Sequence, residues 1–81
     1  MLKIIIADDE KDTREDISRM IRGAVKEAQI DEVPDGESLV EKVRQGGYAL
    51  AFTDFLMGPA RMNGVTAIEN IRRFNADIPY I

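Results

Sequence analysis

The sequence contains no cysteine and no histidine. Without cysteine the chain has no disulfide, no thiolate metal site and no thiol nucleophile, which fits a reducing compartment such as the cytosol. Without histidine it has no imidazole zinc site and no histidine-dependent catalytic triad. Carboxylates remain as the main source of metal chemistry, so we expect any bound metal ion to be a hard cation.

Long apolar runs and clusters of basic residues are also missing. Four apolar residues separate Lys3 from Asp8, too few for the core of a signal peptide or for a membrane span. The eleven basic residues are scattered and the formal net charge is −4, which argues against a nucleic-acid surface. We therefore expect one small cytoplasmic domain that binds neither membranes nor nucleic acids directly.

Short apolar runs predict the strands. Residues 4–7 and 48–53 are apolar at successive positions, which is typical of strands covered on both faces in a parallel sheet. Residues 30–33 form a weaker strand, stopped by Pro34 and by the turn signal Asp35-Gly36, and we place it at a sheet edge. Residues 78–81 begin a fourth strand.

Helical periodicity fills the gaps between these strands. The first helix is predicted to start at Asp12 or Thr13 as N-cap. Residues 38–45 and 65–72 predict two further helices, the former ended by Gly46-Gly47. Strands that alternate with helices at this spacing predict an α/β fold with a parallel sheet and right-handed crossovers. The apolar stripe of the first helix consists of Ile17, Met20, Ile21, Ala24, Val25 and Ala28.

Acidic residues directly follow two of the predicted strands. Asp8 and Asp9 follow the first strand and Asp54 follows the third. In open parallel sheets ligands gather at the carboxyl ends of the strands, so these side chains are expected to converge if the two strands are neighbours. Three close carboxylates repel one another, and a bound Mg²⁺ would neutralise them. The alternative is that these acids merely end strands. The other acids, Glu10 and Glu32 among them, are expected to form solvated faces.

An ordered set of short motifs resembles the receiver domain of two-component response regulators. The match extends over essentially the entire chain, although no single motif is specific. It implies a CheY-like, flavodoxin-like sheet with strand order 2-1-3-4, of which residues 1–81 form the N-terminal two thirds. The motifs are Ile5-Ile6-Ala7-Asp8-Asp9-Glu10, then Asp35-Gly36, Phe52-Thr53-Asp54 and Met62-Asn63-Gly64.

The resemblance also implies a function and a site. Asp54 would accept a phosphoryl group from a sensor histidine kinase, with Mg²⁺ as the cofactor. Asp9 would bind Mg²⁺ directly, Asp8 would act mainly through water, and the backbone carbonyl of Leu56 would complete the metal site. The domain would be a regulatory phospho-acceptor and not an enzyme.

This sequence departs from the family pattern at two places. The loop between Asp54 and Gly64 is about two residues longer than usual, and it contains Arg61. After Ile81 a receiver domain continues through the rest of its fourth strand, a further helix, a fifth strand and a last helix, which carry a switch hydroxyl and a phosphate-binding lysine. Without them we expect a signalling-deficient chain that lacks its output domain and associates with itself through the uncovered sheet.

Two other functions are alternatives to a receiver domain. Haloacid-dehalogenase-type phosphatases also use an aspartate nucleophile and Mg²⁺ on a parallel sheet. They place their nucleophile and acid two residues apart after the first strand, whereas Asp8 and Asp9 are adjacent. The third alternative is a structural fragment whose only activity is self-assembly.

Overall fold

A single apolar strand organises the sheet. A computed structural model describes residues 2–53, 64–74 and 78–81. Strand β1 (Lys3–Ala7) lies in the centre and pairs in parallel with β2 (Gln29–Val33) on one side and β3 (Leu50–Thr53) on the other. The predicted parallel α/β fold is therefore confirmed, as are the order 2-1-3 of these strands and the edge position of β2.

Helices cover the two faces of the sheet unequally. Side chains of successive strand residues point to opposite faces. Ile5 and Ala7 belong to a buried cluster with apolar side chains of α2 (Gly36–Gln45) and α3 (Gly64–Arg72). Ile4 and Ile6 alternate with them and are equally buried. Helix α1 (Lys11–Ala24) also packs against β1.

The coverage corrects one expectation. The sequence led us to expect exposed apolar surface on the first and third strands, but the apolar residues of β1 are at most 3% exposed. In β3, Ala51 is fully buried, and Leu50 and Phe52 are half-buried. The third strand is also shorter than predicted, because Tyr48 precedes it and donates a hydrogen bond to Asp31 of β2.

Helix α1 differs from its prediction at both ends. Its N-cap is Glu10, not Asp12 or Thr13, and Glu10 makes no side-chain capping hydrogen bond. It ends at Ala24, since Val25 is extended at φ −130° and donates its N–H to the carbonyl of Ile21. The predicted stripe is therefore too long. Within it Met20 is 72% exposed and Val25 is 38% exposed.

Helix α2 agrees with the sequence signals and shows their physical basis. The carboxylate of Asp35 accepts the N–H of Ser38 at 2.7 Å, so the predicted turn residue is the N-cap. Gly46 follows the helix at φ 89° and Gly47 at φ 91°, conformations that glycine adopts without steric cost.

The chain returns to the sheet after α3. Ile78 is buried in the cluster shared with α2 and α3, and Tyr80 forms a parallel bridge with Ala51 of β3. The N–H of Thr53 donates to the carbonyl of Ile81 at 2.9 Å. Residues 78–81 thus lie beside β3, where the fourth strand was predicted. Among the residues described, no helix is long and apolar enough to cross a membrane.

Candidate functional site at the carboxyl ends of β1 and β3

The two strands that precede the predicted acids are neighbours in register. Ala7 pairs with Thr53, and the next residues in the sequence are Asp8 and Asp54. The ends of β1 and β3 therefore meet, as the convergence of these acids requires. Asp54 and Leu56 lie outside the described residues, so their predicted roles stay predictions.

Asp8 is held at three points. It is 9% exposed, and its Oδ1 accepts the N–H of Glu10 at 2.9 Å. Its own N–H donates to the carbonyl of Val33 at 3.2 Å, and its carbonyl accepts Nη1 of Arg14 at 2.6 Å. Two of these bonds fix the backbone of Asp8, and the third orients its carboxylate.

Asp9 lies next to Asp8 and is exposed. Together the two side chains offer carboxylate oxygens, the hard donors that suit Mg²⁺. Within residues 2–53, 64–74 and 78–81 no three acidic side chains are grouped so as to hold a metal ion. The donor chemistry of the strand end fits Mg²⁺, and the other two predicted ligands, Asp54 and the Leu56 carbonyl, lie outside the described residues.

A cleft of about 320 Å³ opens at this end of the sheet. It lies between the strand ends and the first two turns of α1. The residues that line it are Ile6, Ala7, Asp8, Glu10, Thr13, Ile17, Phe52 and Thr53.

The structure also reveals a polar network that the sequence analysis missed. Nε of Arg14 lies 3.5 Å from Oε1 of Glu32, and Oγ of Ser18 donates to Oε2 of the same carboxylate at 3.0 Å. Glu32 is therefore not simply part of a solvated face. Arg14 and Ser18 are four residues apart on α1, a spacing that places both on one helix face, but only the packing of β2 shows what they meet.

A family of known domains matches almost the whole chain. Residues 4–81 match the response regulator receiver domain. The chain belongs to this family. A receiver domain is a regulatory phospho-acceptor module of two-component signalling and not an enzyme.

Solved structures share its fold. The response regulator TrrA of Thermotoga maritima, in complex with Mg²⁺-BeF, is 28% identical with a TM-score of 0.87 over 99% of this chain and 66% of its own. An N-terminal domain from Carboxydothermus hydrogenoformans is 28% identical, with a TM-score of 0.84 over 96% of this chain and 60% of its own. This receiver domain thus spans less than two thirds of their length.

A further structure contains a complex. The structure of histidine kinase ThkA in complex with response regulator TrrA contains a chain that is 26% identical to this one. The TM-score is 0.85, and the match covers 99% of this chain and 66% of the matched chain. A comparison with curated proteins gives no match.

Proposed function

We propose that this receiver domain accepts a phosphoryl group on Asp54 from a sensor histidine kinase. The observation that supports this most is the register of Ala7 with Thr53, since it brings the strand ends before Asp8 and Asp54 side by side. The receiver TrrA forms a complex with a histidine kinase, which supports a partner of the same class here.

The proposed cofactor is Mg²⁺, held by the carboxylates of Asp8, Asp9 and Asp54 and by the backbone carbonyl of Leu56. When bound, Mg²⁺ neutralises the acids and the charge that develops on the transferring phosphoryl group. Asp9 would be a direct ligand of the ion, and Asp8 would act mainly through water. Asp54 supplies the attacking carboxylate oxygen.

The two rival functions have less support. A haloacid-dehalogenase-type enzyme needs two acids separated by one residue after the first strand, and Asp8 and Asp9 are adjacent. A purely structural fragment would not require a buried Asp8 fixed by three hydrogen bonds.

Titration with Mg²⁺ tests the metal site. We expect NMR shifts centred on the amides of Asp8, Asp9 and Asp54, with weak binding. Asp9→Asn removes a charged ligand and should weaken binding by about 10-fold or more. Asp16→Asn is the matched control, because Asp16 is an exposed acid paired with Arg19 on α1. Shifts confined to scattered surface acids would refute the site.

Phosphoryl uptake tests the acceptor. With acetyl phosphate and Mg²⁺, any label detected by mass spectrometry should map to Asp54 and disappear in Asp54→Asn. We expect a polypeptide of these 81 residues to label poorly, because it spans only 66% of the TrrA chain and does not supply the remaining phosphoryl-contacting groups. Labelling as efficient as that of a full-length receiver would show this deficiency to be wrong, and labelling elsewhere would exclude Asp54.

A further inference from the structure

A network of charged and polar side chains runs from the edge strand to the backbone of the acid site. It begins at Ser18, passes through Glu32 and Arg14, and ends on the carbonyl of Asp8. Its members come from α1, β2 and the end of β1. The network therefore connects α1 and β2 to Asp8, which the proposed function places in the Mg²⁺ site.

The contact between Arg14 and Asp8 is short and sheltered. Nη1 lies 2.6 Å from the carbonyl oxygen, and the Arg14 side chain is 15% exposed. Charge-assisted hydrogen bonds of this kind are stronger than neutral ones, and limited solvent access reduces screening. Arg14 thus restrains the peptide group that follows Asp8, and with it the carboxylate whose Oδ1 accepts the N–H of Glu10.

Glu32 determines how Arg14 can act. Its carboxylate lies 3.5 Å from Nε of Arg14, a distance typical of an ion pair and too long for a normal hydrogen bond. Its second oxygen is fixed by Ser18, which is 1% exposed. Because Glu32 offsets the guanidinium charge, Arg14 contributes little net positive charge to the neighbouring acids. Its contribution is geometric.

We infer that Arg14 is a positioning residue, which acts through Asp8 to hold the Mg²⁺ site in a binding geometry. Glu32 and Ser18 hold Arg14 in turn. This inference rests on the proposed function for its consequence on Mg²⁺ binding, but not for the geometry itself. Residues that orient a metal ligand through hydrogen bonds commonly change metal affinity by about 10-fold or more when removed.

The direction of the effect separates positioning from simple charge. If Arg14 acted as a nearby cation, Arg14→Met would tighten Mg²⁺ binding and Arg14→Lys would leave it unchanged. If Arg14 positions Asp8, both variants weaken binding by about 10-fold, because an ammonium group cannot contact the Asp8 carbonyl and Glu32 with a planar fork.

Three further variants complete the experiment. Arg19→Met is the matched control, since Arg19 is on the same helix, is also paired with a carboxylate, and is 73% exposed. We expect it to bind Mg²⁺ like the unmodified chain. Glu32→Gln and Ser18→Ala preserve Arg14 but loosen its support, and should weaken Mg²⁺ binding less than Arg14→Lys does. These two variants still test the inference if Arg14→Met does not fold.

Hydrogen exchange provides a readout without metal. In the absence of Mg²⁺ the Glu10 amide should exchange about 5-fold faster in Arg14→Lys than in the unmodified chain or in Arg19→Met. Unchanged exchange and unchanged Mg²⁺ affinity in Arg14→Lys, alongside a lowered melting temperature, would show a purely structural role and overturn the inference.

This design separates the two proposals. If the unmodified chain binds no Mg²⁺ at Asp9, the proposed metal site fails, and the Glu10 amide still decides whether Arg14 positions Asp8. If Mg²⁺ binds normally and every Arg14 variant binds it equally well, the metal site stands and the role of Arg14 is wrong.

Discussion

At the scale of single residues, folding strongly shifts the pKa of Tyr48. Burial raises the pKa of Tyr48 to about 12, and its hydrogen bond to the carboxylate of Asp31 acts in the same direction. The ammonium group of Lys3 lies 4.5 Å from the centre of the ring. The neutral phenol is therefore the form that fits the folded chain.

This raised pKa predicts a loss of stability in alkali. Between pH 10 and about 12 the unfolded chain releases the phenolic proton while the folded chain retains it, so the free energy of unfolding falls as the pH rises. Below pH 10 the contribution is fully present. In Tyr48→Phe the free energy of unfolding should fall less between pH 10 and about 12. Urea unfolding at a series of pH values measures this difference.

The other tyrosine provides the control for that measurement. Tyr80 is 43% exposed and lies under the guanidinium of Arg72. Tyr80→Phe should retain the full alkaline loss of stability. An identical pH profile for Tyr48→Phe and Tyr80→Phe would contradict the assignment to Tyr48.

At the scale of elements, the N-terminus of α2 depends on one side chain. Asp35 accepts the N–H of Ser38 at 2.7 Å. We expect Asp35→Ala to lower the free energy of unfolding by about 1 kcal/mol, and Asp35→Asn to lower it much less, since asparagine caps helices comparably. Glu10→Ala is the comparison, because Glu10 occupies the N-cap of α1 without a side-chain cap. Equal losses for Asp35→Ala and Glu10→Ala in urea unfolding would contradict this account.

The same two helices show how far the sequence predicts local structure. Both ends of α2 are predictable, because the Asp35 side chain accepts a backbone N–H at its start and Gly46 adopts a positive φ after its last residue. The start of α1 is not, because its N-cap, Glu10, makes no side-chain capping hydrogen bond. The start of α1 is instead marked by two local bonds, in which the Glu10 N–H donates to Oδ1 of Asp8 and the Glu10 carbonyl accepts the N–H of Arg14.

The site, like the helices, is only partly predictable from the sequence. Acids after two apolar strands predicted where ligands would gather, since parallel strands end at a common edge, and the register of Ala7 with Thr53 agrees. The network from Ser18 to Asp8 could not be predicted. It depends on which face of α1 meets β2, and the amphipathic pattern alone made Met20 part of that face although it is exposed.

At the scale of the whole molecule, we expect the 81-residue chain to self-associate. Ile81 is 63% exposed beside β3, and Leu50 and Phe52 of that strand are only half-buried. Burying a side chain of this size contributes about 1.5 to 3 kcal/mol. The net charge of −4 opposes association, so added salt should strengthen it.

Sedimentation equilibrium at micromolar concentration tests this expectation. Ile81→Glu should weaken self-association by at least about 10-fold. Met20→Glu is the control at an exposed apolar residue of α1 and should have a small effect. A monomer with a cooperative melt at these concentrations would show that the core is sufficient without a second copy.

The central position of β1 also bears on synthesis of the chain. The ribosome produces residues 3–7 before their strand partners, which begin at Gln29 and Leu50. Until both have emerged, a run of three isoleucines lacks a strand partner on at least one side and is accessible to other nascent chains. Completion of the sheet during translation therefore has to wait for β3.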